Sequence, residues 1–311
     1  MSKIEWCDAT INPIVGCSKI SPACHNCYAE GMAKRLQSMG TRGYDGVVTE
    51  EGKWSGKLNF VWSELEKPMK WKKPRRIFVG SMTDLFHENV SDEWIDEIMV
   101  RVQFEKQHTF IFLTKRTERM KEYFSSREFR GQNCKDGVVQ NLWIGTTVEN
   151  QEQANIRIPI LLNTPATKRF VSIEPMLEKI DIWNVDNFIY DGFLKGYVDK
   201  EYSLVSGASP NICKLDWVIC GGESGRNARS LHPDWVKDLQ EQCEISNTPF
   251  FFKQWGEFME ENQMTDKLTQ MKGQTSSFMS DGSLTFHRCG RKSAGKLLDG
   301  KLCQAFPDAK D

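Results

Sequence analysis

Residues 109–116, Thr109-Phe-Ile-Phe-Leu-Thr114-Lys115-Arg116, contain the pattern that decides the fold, a short continuous apolar run followed by charged side chains. A strand buried on both faces has this composition, because neither of its faces meets water. The same form recurs at 77–81, 142–147, 169–174, 217–221 and 249–253. We predict a strand at each of these runs and a further one within residues 4–15.

Stretches with helical period separate these strands. Strands that alternate with helices predict a parallel sheet, and the chain has no Rossmann glycine fingerprint. The predicted fold class is therefore α/β, a partial (β/α)6-type barrel of parallel strands with a small C-terminal extension. The predicted helices are 92–104, 151–162 and 233–245.

The domain boundaries follow from where this alternation stops. We assign residues 1–255 to the barrel, with an insertion at 181–216, and residues 256–311 to the C-terminal extension. Ser280-Asp281-Gly282-Ser283 predicts a hairpin turn in this extension, between Phe278 and residues 284–286.

The composition of the chain indicates the class of protein to which it belongs. The chain has 311 residues, a net charge of −1, 39% hydrophobic residues and 27% charged residues, which is ordinary for a globular protein. No apolar run approaches the length of a membrane span, and the first residues lack the apolar core of a signal peptide. We therefore expect a cytoplasmic protein that has no membrane partner.

Polar side chains end nearly every predicted strand. In α/β barrels the functional residues lie at these carboxyl ends, so we expect the polar ends to meet on one rim. Any one of them could instead only solvate a strand end. The candidates are Ser81, Asp84, Thr114, Lys115, Thr146, Glu149, Ser172, Glu174, Glu223 and Lys253.

Three of the ten cysteines, Cys17, Cys24 and Cys27, form a C-x6-C-x2-C motif after the first predicted strand. Three thiolates can hold three irons of a four-iron cluster and leave the fourth iron open. A zinc ion with His25 or a distant residue as fourth ligand is the main alternative. A disulfide is less favoured because it leaves one thiol over.

Motifs along most of the chain resemble those of a phage and bacterial family, that of phage protein Gp-thirty-seven/Gp-sixty-eight. The resemblance rests on Thr10-Ile-Asn12-Pro13-Ile-Val-Gly16-Cys17 with the cysteine motif and Tyr28-Ala-Glu30, Ser81-Met-Thr-Asp84-Leu-Phe-His87, Leu113-Thr-Lys115-Arg116, Gly145-Thr-Thr-Val-Glu149-Asn150, Ser172-Ile-Glu174-Pro175, Gly221-Gly222-Glu223-Ser224-Gly225, Phe252-Lys253-Gln254-Trp255-Gly256 and Gly290-Arg-Lys-Ser-Ala-Gly-Lys-Leu-Leu-Asp299-Gly.

That family in turn resembles the radical S-adenosylmethionine enzymes. The resemblance implies a [4Fe–4S] cluster on Cys17, Cys24 and Cys27 whose open iron binds S-adenosylmethionine. It also implies an electron donor such as flavodoxin or ferredoxin, and a 5′-deoxyadenosyl radical that abstracts hydrogen from a substrate. The cofactor would be bound by Ser81, Asp84, Thr114, Thr146, Glu149 and Ser172. The catalytic residues would be Lys115, Glu174, Glu223 and Lys253.

Three features depart from the usual pattern of those enzymes. The residue before the last cysteine is usually aromatic, whereas here it is Asn26, and Tyr28 follows the cysteine. The first cysteine gap has six residues where three is common. The Gly221-Gly222-Glu223 motif ends a late strand, whereas the usual Gly-Gly-Glu motif ends the second strand. Ser81 and Asp84 fit the methionine-binding position better than Glu223 does.

The substrate leaves one local trace, the basic run at residues 67–76, which contains Trp71. Such a run suits a nucleic-acid backbone and a stacked base, although a solvated loop has the same composition. We therefore predict a nucleic acid or a nucleotide as substrate. Two other functions remain open: a zinc-stabilised nucleic-acid-binding protein, and a catalytically inactive cluster-bearing partner protein or electron carrier.

Overall fold

Seven strands of the chain form one parallel sheet in which each strand lies beside the next one along the chain. The structure, a computed structural model, describes residues 4–183, 197–198, 212–263, 276–278 and 284–307. The strands are β1 (Ala9–Ile11), β2 (Arg76–Val79), β3 (Thr109–Thr114), β4 (Leu142–Thr147), β5 (Lys168–Ile173), β6 (Trp217–Gly221) and β7 (Phe250–Gln254).

The order of these strands distinguishes between the two kinds of parallel α/β fold. A doubly wound sheet reverses its strand order at a switch point, whereas here the order runs from β1 to β7 without reversal. The predicted fold class, an α/β partial barrel of parallel strands, is confirmed.

Three of the five longer helices have the predicted bounds. The helices are α1 (Tyr28–Ser38), α2 (Asp92–Phe104), α3 (Thr117–Ser125), α4 (Gln151–Leu162) and α5 (Pro233–Ile245). On α2, Ile95, Ile98, Met99 and Val102 are buried, as the helical period predicts. Helices α1 and α3 were not predicted. Helix α1 begins directly after Cys27 and α3 directly after Arg116, and the residues there were interpreted as parts of motifs.

The remaining elements are short. Antiparallel pairs join Ile14–Val15 to Asn59–Phe60, Cys134–Lys135 to Val138–Val139, Tyr197–Val198 to Ile212–Cys213, and Leu297–Leu298 to Lys301–Leu302. Thr285–Arg288 pairs with both Phe258–Glu260 and Ser276–Phe278. Short helical turns lie at Pro22–Cys24, Trp62–Leu65, Pro68–Lys70, Glu261–Gln263 and Arg291–Ala294.

The chain divides into two compact units. The first comprises Met1–Thr147 with Pro159–Arg169, and the second Val148–Ile158 with Phe170–Asp311. The division predicted at residue 255 stays a prediction. The hairpin strands predicted in the C-terminal extension do pair, whereas their turn at 280–283 and most of the insertion at 181–216 lie outside the described residues. None of the helices that the structure describes is long and apolar enough to cross a membrane.

Asn150 forms the N-terminal cap of α4. Its Oδ1 accepts a hydrogen bond from the Gln153 backbone N–H at 2.9 Å, and its carbonyl accepts from the Ala154 N–H. An Asn150→Ala substitution removes the side-chain acceptor and should lower the free energy of unfolding by about 1 kcal/mol. Urea denaturation followed by tryptophan fluorescence measures this change. Asn150→Asp keeps an acceptor and should unfold as the wild type does, so an equal loss in both variants would contradict the cap.

Candidate functional site

The cysteine loop, residues 17–27, follows β1 in the first unit and is anchored at its start. Asn12 lies directly after β1, and its Oδ1 accepts from Ser81 Oγ at 3.0 Å and from the Met82 N–H at 3.1 Å. The Gly16 N–H donates to the Met82 carbonyl at 3.1 Å. Gly16 has φ +106°, and a Cβ there would lie 2.2 Å from the Lys57 carbonyl oxygen. Only glycine therefore lets the chain turn into the loop here.

Ser18 fastens the loop to the residues that follow β2 and β3. Its Oγ accepts from Arg116 Nη2 at 2.7 Å, contacts His87 Nε2 at 2.8 Å and donates to Glu88 Oε1 at 3.2 Å. The Asn89 N–H donates to His87 Nδ1, which places the His87 proton on Nε2, toward Ser18. Burial and the Arg116 charge lower the pKa of His87, so the ring is neutral at pH 7. Ser18 thus uses both its lone pairs and its proton.

Asp84 is the buried carboxylate of this network. Its oxygens accept from Thr114 Oγ1 at 2.6 Å, the Phe86 N–H at 3.0 Å and the Lys115 N–H at 3.1 Å. Arg116 Nη1 completes the set at 3.1 Å. The Asp84 and Arg116 side chains are only 9% and 11% exposed. Asp84 therefore joins the carboxyl ends of β2 and β3, and its hydrogen-bonding capacity is taken up by the chain itself.

Glu30 braces the loop from the side of α1. Lys19, between Cys17 and Cys24, lies 2.9 Å from Glu30 Oε2 and donates to the His25 carbonyl at 3.3 Å. Burial alone would raise the pKa of Glu30, but hydrogen bonds from Lys19 and from the Trp54 backbone N–H outweigh it and lower that pKa. Glu30 is therefore ionised at neutral pH and holds Lys19 in place.

The thiols of the loop lie in different electrostatic surroundings. Burial raises the pKa of Cys17 to about 12, and the Asp84 carboxylate adds to the rise. Burial also acts to raise the pKa of Cys24, but the Lys115 charge and local hydrogen bonds outweigh it and lower that pKa. Cys27 lies at the N-terminal end of α1 and close enough to Cys17 for its charge to act on that thiol. The Lys115 charge favours a thiolate at both Cys17 and Cys24, and the thiolate is the form that binds metals.

The loop offers ligands without holding them in a metal-binding geometry. Among the residues that the structure describes, no group of three His, Cys, Asp or Glu side chains could hold a metal ion. The chemistry of the donor set still fits a soft metal or an iron–sulfur cluster. Cys17, Cys24 and Cys27 are free of disulfides and are neither fully buried nor fully exposed.

The predicted cofactor-binding hydroxyl groups of the first unit serve the same scaffold. Ser81 Oγ bonds Asn12, Thr114 Oγ1 bonds Asp84, and Thr146 Oγ1 donates to the Thr114 carbonyl at 2.8 Å. The structure therefore brings these residues together at the ends of β2, β3 and β4. Lys115 also lies here, and its ammonium group makes no hydrogen bond or ion pair within the described residues.

In the second unit, Glu174 and Lys253 form an ion pair at the ends of β5 and β7. Lys253 Nζ lies 2.9 Å from Glu174 Oε1, and the side chains are 16% and 14% exposed. Ser172 Oγ lies 3.4 Å from Glu174 Oε2. A Cβ at Gly221, the last residue of β6, would lie 2.7 Å from Glu174 Oε1. Glycine at that position therefore leaves room for the carboxylate.

Two other predicted residues of the second unit are carboxylates that form ion pairs with arginines. Glu149 is fully buried and lies 2.9 Å from Arg157 Nη1. Glu223 receives both Nε and Nη2 of Arg229, at 2.9 and 2.7 Å, and the Arg229 backbone N–H at 2.8 Å. Both carboxylates thus hold the loops that follow β4 and β6.

Three of the six basic side chains at residues 67–76 form ion pairs with nearby carboxylates. Lys67 pairs with Glu64, Lys70 with Glu66, and Arg76 with Asp8. The Arg75 guanidinium lies 4.7 Å from the centre of the Trp71 ring. Arg75 therefore covers one face of the Trp71 ring.

Sequence reasoning missed the residues that tie the loop down. Ser18 and Lys19 carried no signal because each lies inside the cysteine spacing, where only the thiols attract notice. Glu88 lies one position beyond a recognised motif. A signal for Arg116 was present, since it directly follows a buried strand and ends the motif Leu113-Thr-Lys115-Arg116.

Comparisons with known proteins identify one family model that matches nearly the whole chain. A family model described as "Protein of unknown function (DUF5131)" matches residues 1–307. No curated protein and no solved structure matches the chain.

Proposed function

This chain belongs to the DUF5131 family, and we propose that it is an iron–sulfur enzyme of the radical S-adenosylmethionine type. One observation carries the proposal. The cysteine loop is built onto the carboxyl ends of β1, β2 and β3 through Asn12, Ser18 and Arg116. Those ends are where α/β barrels carry their chemistry. A loop placed there by partly buried polar groups suits a working site better than a structural metal.

Each residue of this site has a distinct task in the proposal. Cys17, Cys24 and Cys27 would hold the cluster. When bound, the cluster would pass an electron to S-adenosylmethionine and so generate the radical that abstracts hydrogen from the substrate. Arg116 and Ser18 fix the loop, and Lys115 offers an uncommitted positive charge beside the thiols, suited to a carboxylate or phosphate.

The predicted cofactor-binding residues divide into two groups in this proposal. Ser81, Asp84, Thr114 and Thr146 shape the cofactor site through the hydrogen bonds that fix the strand ends. Glu149 and Ser172 belong to the second unit, where Glu149 is closed off by Arg157 and Ser172 lies beside Glu174.

The partners follow from the same chemistry. An electron donor such as flavodoxin or ferredoxin would reduce the cluster, and a cytoplasmic location suits thiols that must remain reduced. A nucleic acid or a nucleotide is the proposed substrate.

The proposal is tested on protein purified without oxygen. We expect a brown protein with about four irons and four sulfides per chain, and 5′-deoxyadenosine on addition of dithionite and S-adenosylmethionine. Colourless protein that contains only zinc would contradict the proposal and favour the zinc-stabilised nucleic-acid-binding alternative. An intact cluster that yields no 5′-deoxyadenosine would instead favour an inactive partner protein or electron carrier.

A further inference from the structure

The Glu174–Lys253 pair of the second unit is largely shielded from water, yet little of its hydrogen-bonding capacity is used within the described residues. An ammonium group has three donors and a carboxylate about four acceptor positions. Within the described part of the chain, Lys253 Nζ has only Glu174 as a partner, and Glu174 adds only the long contact to Ser172. Polar groups withdrawn from water normally find more partners than this.

Two other ion pairs of the same unit provide a comparison. Glu149 and Arg157 are 0% and 5% exposed and closed to any ligand. Lys179 and Asp238 are 60% and 33% exposed, so water satisfies the remaining donors and acceptors. Glu174 and Lys253 lie between these cases, at 14% and 16%. They are shielded enough to bind strongly and open enough to be reached.

The position of the pair also favours a ligand. Ser172, Glu174, Gly221 and Lys253 lie at or directly beyond the carboxyl ends of β5, β6 and β7, where parallel α/β sheets bind ligands. Gly221 has no side chain over the carboxylate, and a Cβ there would come within 2.7 Å of Glu174 Oε1. The Glu174 carboxylate therefore occupies the space that a side chain at position 221 would fill.

We propose that Glu174 and Lys253 bind the edge of a nucleobase that carries a ring carbonyl beside a ring N–H, as in uracil, thymine and guanine. Lys253 Nζ donates to the ring carbonyl, and Glu174 accepts from the ring N–H. Donor and acceptor lie 2.9 Å apart, so they can face the two adjacent atoms of such an edge side by side. This inference deepens the proposed function, because it names the part of the nucleotide substrate that is recognised.

The net charge of the pair explains the choice of a neutral ligand. A free anion would gain from Lys253 but face Glu174, and a free cation would meet the reverse. An amide edge uses both charges at once without adding one. Hydrogen bonds to charged groups are stronger than those between neutral groups, so blocking one of them should be easy to measure.

The test is a binding titration by calorimetry on the full chain, with the metal content of the same sample determined. The probes are uridine and guanosine 5′-monophosphates. Each is compared with the 5′-monophosphate methylated on the ring nitrogen, that of 3-methyluridine or of 1-methylguanosine. We expect at least one unmodified nucleotide to bind about tenfold or more tighter than its methylated form. A single-stranded oligouridylate, with and without 3-methyluracil, shows whether the base is read in a nucleic acid or in a free nucleotide.

Matched double variants identify the site. Glu174→Met/Lys253→Met removes both charges and leaves neither buried alone, and it should abolish the discrimination. Lys179→Met/Asp238→Met removes an ion pair of the same unit and should leave the discrimination unchanged. Thermal melting by circular dichroism confirms that both variants fold.

Either of two results would overturn the inference: no discrimination against methylated bases in any probe, or discrimination that survives in Glu174→Met/Lys253→Met. The measurement is separable from the test of the proposed function. Colourless protein that still discriminates contradicts only the cluster, and brown protein that does not discriminate contradicts only the nucleobase site.

Discussion

Replacing Cys24 with serine should reduce the iron bound per chain to about a tenth or less of the wild-type content. Loss of a residue that only supports a metal ligand already weakens metal affinity about 10–100-fold, and here a ligand itself is removed. A serine hydroxyl stays protonated at neutral pH and is a poor ligand for iron or other soft metals. Cys24 is also the thiol whose pKa is lowered, through Lys115 and local hydrogen bonds that outweigh its burial. Its loss should therefore remove a ligand that is ready to ionise.

The control for this variant is Cys303→Ser. Cys303 lies far along the chain, and within the described residues its thiol makes only a 4.0 Å contact with the Lys301 carbonyl. Iron, zinc and acid-labile sulfide are measured on both proteins after purification without oxygen. Full metal content in Cys24→Ser would refute the ligand assignment, whichever metal is present.

Replacing Arg116 with methionine should lower the free energy of unfolding by about 3–5 kcal/mol, the usual cost of leaving one partner of a buried ion pair uncompensated. Arg116 contacts Asp84, Glu88 and Ser18 at once. Without it, Asp84 keeps the hydrogen bonds from Thr114 and two backbone N–H groups but loses its compensating charge. Ser18 loses its shortest contact, so the cysteine loop should also hold its metal less firmly.

A surface pair provides the comparison for Arg116. Arg130 lies 2.7 Å from Glu128, with the two side chains 82% and 67% exposed. Arg130→Met should therefore cost only about 0–1 kcal/mol. The double variant Arg116→Met/Asp84→Asn removes both charges and should recover part of the loss. If urea denaturation gave the same midpoint for Arg116→Met and Arg130→Met, the network would not carry the stability assigned to it.

The fold was largely predictable because its signals are local. The run Thr109–Thr114 is a strand with the predicted bounds, and α2, α4 and α5 begin and end where their apolar period does. A buried parallel strand needs a continuous apolar run and an amphipathic helix needs a 3.6-residue period, and both can be read over a few residues. The helices α1 and α3 escaped because each begins within a motif that was interpreted for its chemistry.

The site was predictable only as a set of residue types. Asp84 was predicted to bind a cofactor, and the structure commits its carboxylate to Thr114, Arg116 and two backbone N–H groups. Three of these four partners come from residues 30 to 32 positions away, and spacing along the chain carries no information about such contacts. The position of Lys115 near the thiols also depends on contacts between distant parts of the chain, and its ammonium group has no partner within the described residues.

The sequence by itself determined the parallel strands, the cysteine motif and the polar residues at the strand ends, because each depends on neighbours within a few positions. Only the packing of the folded chain determines which of those polar residues pair with one another. Asp84 forms an ion pair with Arg116, Glu149 with Arg157, and Glu223 with Arg229. Within the described residues, Lys115 and the Glu174–Lys253 pair keep donors and acceptors without partners. The reason is that a buried charge must be compensated by whatever the fold brings within reach, and only the packed chain determines what that is.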